Sequence, residues 1–157
     1  MSSEIPSENP PAASPLAAAP AFSSGDERTW AALAHGTILL NLVTGFLGPI
    51  AALIVYFLYR DRSRYVAYHA LQSALFQLVT WYGGGVLVGL VWIATGALSL
   101  ILIGLILIPI ACVVSVLVGL LPLGGLIAGV WGAVETSQGK DFKYWLVGDW
   151  ARGTLTG

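Results

Sequence analysis

The sequence predicts an all-α fold, a multi-pass transmembrane helical bundle, from three observations. Apolar residues make up 57% of the 157 residues and charged residues only 10%, against roughly 25% charge in an ordinary soluble domain. The charges are also confined. All seven basic residues sit at Arg28, at Arg60, Arg62 and Arg64, and at Lys140, Lys143 and Arg152. Residues 29–59 and 65–134 carry no Lys, Arg, Asp or Glu. A helix over the longer stretch would reach about 105 Å, several times a hydrocarbon core of about 30 Å, so the chain must cross, turn and cross again. Backbone in lipid must satisfy its own hydrogen bonds, and these runs lack the period-two alternation of a barrel strand, which leaves helices.

Residues 1–23 are rich in Ser, Pro and Ala, with no basic residue and no continuous apolar centre. They do not fit a secretory signal and are expected to be a disordered tail. Order is expected from Ser24, because Ser24-Gly25-Asp26-Glu27 fits a capping box and Asp26 and Glu27 suit the positive end of a helix dipole. The helical domain is expected over 24–138, with helices at about 25–43, 49–60, 65–94 and 97–136. The stretch from Thr44 to Gly48 interrupts the first apolar run, and Pro49 reads as a first helical residue.

A hairpin at that break places Arg28 beside Arg60, Arg62 and Arg64, whereas one kinked helix over 25–60 would separate them. Basic residues favour the cytoplasmic side, which favours the hairpin. The third helix is expected to turn near Thr95-Gly96, and Pro109 and Pro122 to kink or break the apolar stretch beyond that turn. Four crossings in two hairpins return Lys140 and Lys143 to the arginine side and leave both termini cytoplasmic. Three apolar pieces in the second half, giving five crossings, is the rival reading. Gly139 is placed as a left-handed cap. Residues 139–157 then mix Phe142, Tyr144, Trp145, Leu146 and Trp150 with Lys140, Asp141, Lys143, Asp149 and Arg152, as expected of a segment lying in the headgroup region.

Steps of three and four align His69, Gln72, Ser73, Gln77 and Thr80 along one side of the third helix. Such a stripe should face the bundle or a wet cavity, as interhelical glue or as a polar lining. Ala34, Thr37, Asn41 and Thr44 form a weaker counterpart, Asn41 being its strongly polar member, and His35 lies apart from it. Gly85 with Gly89, and Gly125 with Gly129 and Gly132, are spaced for close helix packing. Arg60, Arg62, Arg64, Lys140, Lys143 and Trp145 are the candidates for a cytoplasmic contact surface.

No H-E-x-x-H, P-loop or G-x-S-x-G motif and no pair of intramembrane carboxylates is present, so no catalytic or metal-binding residue is assigned and no cofactor is expected. Ser73, Ser99 and Ser115 read as hydroxyls bonded to their own helices, and Cys112 as a small buried hydrophobe. A net charge of −1 provides no basic field for nucleic acid.

Asp26-Glu27-Arg28-Thr29-Trp30-Ala31-Ala32-Leu33-Ala34-His35 resembles the opening of a family of small four-helix bacterial membrane proteins of unknown function. That family is similar to the twenty-kilodalton subunit of the chloroplast inner-envelope protein translocon. Gly48-Pro49, His69-Ala70-Leu71-Gln72, Phe76-Gln77 and Gly139-Lys140-Asp141-Phe142-Lys143-Tyr144 match its further signatures, over about residues 26–146. Trp145 departs from it, standing where the family usually has Pro, and the apolar stretch before Pro122 is long. The resemblance implies four helices in a bacterial plasma membrane; the plant relative implies protein import. The leading expectation is a non-enzymatic accessory or scaffold subunit contacting lipid and other membrane proteins or further copies of itself. The alternative is a translocation-like or conducting component lined by the polar face of the third helix.

Overall fold

The structure, a computed structural model, describes residues 25–156. The expected tail and the Ser24 cap therefore lie outside the described residues. Helix α1 (Gly25–Gly36), a 3-10 turn (Thr37–Leu39) and α2 (Leu40–Thr44) follow without a break, and α3 is Leu47–Tyr59. Helix α4 (Arg64–Gln77) continues through a π segment (Leu78–Gly83) into α5 (Gly84–Ser99). Helices α6 (Ile103–Gly119), α7 (Leu121–Ser137) and α8 (Gly148–Thr156) complete the order, with no strand among the described residues.

Gly45, at φ 78°, closes α2 in the left-handed conformation that costs glycine least. Thr44 then caps the next helix, its Oγ1 accepting the Leu47 amide at 3.1 Å. Helix α3 thus begins two residues before Pro49, so Pro49 is not the first helical residue. The amide it lacks is one that a helix start leaves without an intrahelical partner. Ser63 caps α4, its Oγ accepting the Val66 amide at 3.3 Å. The chain doubles back at Gly45, and α1 packs on α3. The Arg28 side chain reaches Gly139, and the Tyr65 hydroxyl donates to the Lys140 carbonyl at 3.1 Å. Arg28 and the arginine loop therefore share one end of the molecule, as in the hairpin reading.

Two helices are long and apolar enough to cross a membrane, Arg64–Ser99 with 36 residues and Ile103–Ser137 with 35. Helix α3, with 13 residues or about 20 Å, is shorter. The turn between the long helices lies at Leu100–Leu102 and not near Thr95-Gly96. Thr95 and Ser99 bond carbonyls one turn back and do not break the helix. Gly104, without a side chain, lets α6 close directly onto the backbone at Thr95 and Ser99. Pro109 stays inside α6, and Leu120 keeps right-handed helical angles between α6 and α7. The last apolar stretch is therefore one long helix, not two separate spans as the five-crossing reading requires.

Helix α1 packs against α4 and α7, while α3 packs against α4. Ile38 is fully buried and lies against Gly129 and Gly125, where a larger residue would push α7 away. Helices α5 and α6 pair with each other beyond this pack, held by Gly84 against Val118 and by the Trp92 indole donating to Ser115 at 2.9 Å. Their outer faces expose Leu90, Ile93, Ile106 and Val116. Cys112 is also exposed, not buried as expected; its neighbour Ala111 is the buried residue at this point of α6.

Candidate functional site

His69, Gln72, Ser73 and Gln77 are all 0% exposed and Asn41 is 2% exposed, so the stripe points into the bundle. Two connected sets of hydrogen bonds absorb it. In the deeper set, the Gln77 amide donates to Thr37 Oγ1 at 3.0 Å and to Ser73 Oγ at 3.1 Å, and its Oε1 accepts from Asn41 Nδ2 at 3.0 Å. Asn41 Oδ1 accepts the Gly48 amide at 2.9 Å, which ties α3 to α2 and α4. Ser73 Oγ donates to the Ala34 carbonyl at 2.8 Å. Thr80 stays outside the set, donating to its own helix at Phe76.

The second set lies nearer the charged end. Gln72 Nε2 donates to the Phe142 carbonyl at 2.8 Å while Gln72 Oε1 accepts the Tyr144 amide at 3.2 Å. These two backbone groups fix which way the amide faces, because a flip would set donor against donor. Gln72 Nε2 also lies 3.0 Å from His69 Nδ1, which must therefore accept. His35 Nε2, 3.1 Å from the same atom, must donate. His35 Nδ1 is then the acceptor for the Tyr144 hydroxyl at 3.0 Å. Burial raises the Tyr144 phenol above its ordinary range, which keeps it a donor. Each imidazole thus carries its proton on Nε2, and the His69 Nε2 proton has no partner among the described residues.

His35 does not lie apart, as the helical steps alone suggest; it joins α1 to α4 and to the C-terminal segment. The 3-10 turn at Thr37–Leu39 is the reason. Each 3-10 residue turns about 120° in place of about 100°, so three of them bring His35 to roughly 60° from Asn41, where an unbroken helix would leave roughly 120°. The C-terminal segment also differs from the expected interfacial strip. Tyr144 and Val147 are buried, Tyr144 stacks on Phe76 at 3.9 Å, and Phe142 meets the His35 ring edge-on, while Trp145 and Trp150 point outward. Alternation of aromatic and charged residues marks this segment as amphipathic but not which rings enter the bundle.

Gly125, Gly129 and Gly132 face Thr80, Ile38, Phe142 and His35, so this stripe packs within the chain and offers no face to a partner. Gly85 and Gly89 differ: a Cβ at either would have no neighbour within 4 Å. The charged end is internally paired. Arg60 meets Asp61, Lys140 meets Glu135, Lys143 meets Asp149 and Arg152 meets Asp141, at 2.7–3.3 Å. Arg64 donates to the Leu155 carbonyl, and Arg62 lies exposed in the loop before α4. No group of three or more His, Cys, Asp or Glu among the described residues could hold a metal ion. Chemically, the network can lock four chain segments in register.

The sequence profile of the magnetosome magnetite crystal formation protein family, MamF/MmsF, matches residues 26–151. No curated protein and no solved structure matches the chain. The match and the two long apolar helices identify a bacterial membrane protein. The small bacterial membrane family of the sequence resemblance stands; its likeness to the chloroplast translocon subunit gains nothing from these matches.

Proposed function

Because the chain belongs to the magnetosome magnetite crystal formation protein family, we propose that it is a non-enzymatic scaffold of the magnetosome membrane, holding other membrane proteins or further copies of itself in place. The observation that carries this reading is the α5–α6 hairpin. It stands beyond the packed helices with Gly85 and Gly89 open, on a surface without a single charge. In lipid, where no hydrophobic force draws helices together, open small residues of this kind allow the close backbone approach on which association depends.

A direct role at a mineral surface has less support. Among the described residues no group of three or more His, Cys, Asp or Glu could hold a metal ion. The far turns, Thr44 to Leu47 and Leu100 to Leu102, carry no metal ligand. A conducting role fares no better, since His69, Gln72, Ser73 and Gln77 bond one another and neighbouring backbone. We place the charged end in the cytoplasm, because basic residues favour that side. The test is complementation of a magnetosome-forming bacterium lacking this chain. Gly85→Leu with Gly89→Leu should fold, reach the membrane and fail to restore crystal formation; full restoration would refute the scaffold.

A further inference from the structure

The outer face of α7 carries a feature that scaffolding does not use. Two adjoining grooves of about 380 and 350 Å3 share Gly124, Ala128 and Trp145. The first reaches Lys143 and Trp131, the second Leu121 and Leu120. Together they run from the charged end down the side of the bundle.

We propose that this groove binds one anionic phospholipid, with an acyl chain lying along α7 and the head group at Lys143. Length is the first argument. Trp131 to Leu121 covers about 15 Å of helix, close to half a hydrocarbon core of about 30 Å, which is the depth of one leaflet. Polarity is the second. The groove has a cation only at its upper end, where Trp131 also lies, an indole suited to the headgroup level, while Trp145 lines both halves. Lys143 Nζ is 2.9 Å from Asp149 in an exposed pair. Such pairs bind weakly, and an ammonium with three protons can serve a phosphate oxygen as well.

The floor is the third argument. Gly124 opens the groove: a Cβ there would have no other part of the protein within 4 Å. A neighbouring helix is a poorer occupant than lipid, since it would need a groove continuing through both leaflets. The proposal requires only that the chain lies in a bilayer, and it stands or falls separately from the scaffold.

Native mass spectrometry of the full chain in mild detergent tests it, with phosphatidylglycerol and phosphatidylcholine of identical chains supplied in competition. The wild type should retain one phosphatidylglycerol per chain. Gly124→Leu, whose Cβ meets no neighbour and whose side chain would occupy the groove, should weaken retention by roughly tenfold at unchanged helix content. Lys143→Gln should retain lipid but lose the preference for the anionic head group. Trp145→Ala, remote from the helix interior, should weaken retention of both lipids. No retained lipid in the wild type, or equal retention in Gly124→Leu and Trp145→Ala, would overturn the proposal. So would cross-linking between two copies through Ile127→Cys in a Cys112→Ser background.

Discussion

Nε2 of His35 lies 3.1 Å from Nδ1 of His69, and the hydrogen between them belongs to His35. The assignment rests on Gln72, whose amide is fixed by Phe142 and Tyr144 and must donate to the same His69 nitrogen. Nitrogen-15 chemical shifts of labelled protein should therefore report both rings protonated on Nε2. Tyr144→Phe removes the donor to His35 Nδ1 and leaves a buried acceptor unpaired. It should cost about 1–3 kcal/mol of stability, read as a lower unfolding temperature in detergent with helix content unchanged.

Gly48 is where α2, α3 and α4 meet. A methyl group there would collide with Gln77 Oε1 and with both polar atoms of the Asn41 side chain. Gly48→Ala should therefore cost about 2–4 kcal/mol, through overpacking and loss of the Asn41–Gln77 bond. If its thermal unfolding matched the wild type, the deeper half of the network would not hold the first hairpin.

The two glycine sets should separate in a melting experiment. Gly129 receives Ile38 and has no room for a side chain, so Gly129→Leu should destabilise the chain by more than about 3 kcal/mol. Gly89 faces open space, so Gly89→Leu should leave the unfolding temperature of the single chain unchanged or slightly raised.

Leu102 is the one non-glycine residue with positive φ among the described residues, at 66°. The left-handed conformation costs a residue with a Cβ about 1–2 kcal/mol. Leu102→Gly should relieve it and stabilise the hairpin by about 1 kcal/mol after the entropy cost of glycine. Thermal unfolding of the variant beside the wild type measures the sign directly.

Much of this fold is legible in the sequence because lipid imposes it. Charge-free runs between basic clusters mark the long helices, and Gly45 and Gly139 both adopt the left-handed conformation at helix ends. The polar stripe on α4 is legible because α4 keeps a regular period. His35 is not, because the 3-10 turn after it changes the phase by which neighbours on α1 are counted. The turn at Leu100–Leu102 is hidden for a different reason. Gly104 sets it by close approach to another helix, which is a tertiary contact, while Gly96, the local break in the sequence, packs against nothing. Tyr144 likewise looks like Trp145 in sequence; only its bond to His35 and its stacking on Phe76 distinguish them.

The most direct measurement is the native mass of the chain extracted from its own membranes in mild detergent, for the wild type and for Gly85→Leu with Gly89→Leu. The scaffold account predicts a wild-type assembly, either of several copies or with a stoichiometric second membrane protein, that the double variant reduces to a folded single chain. A wild type that runs as a single chain, or a double variant that keeps the wild-type mass, would contradict it.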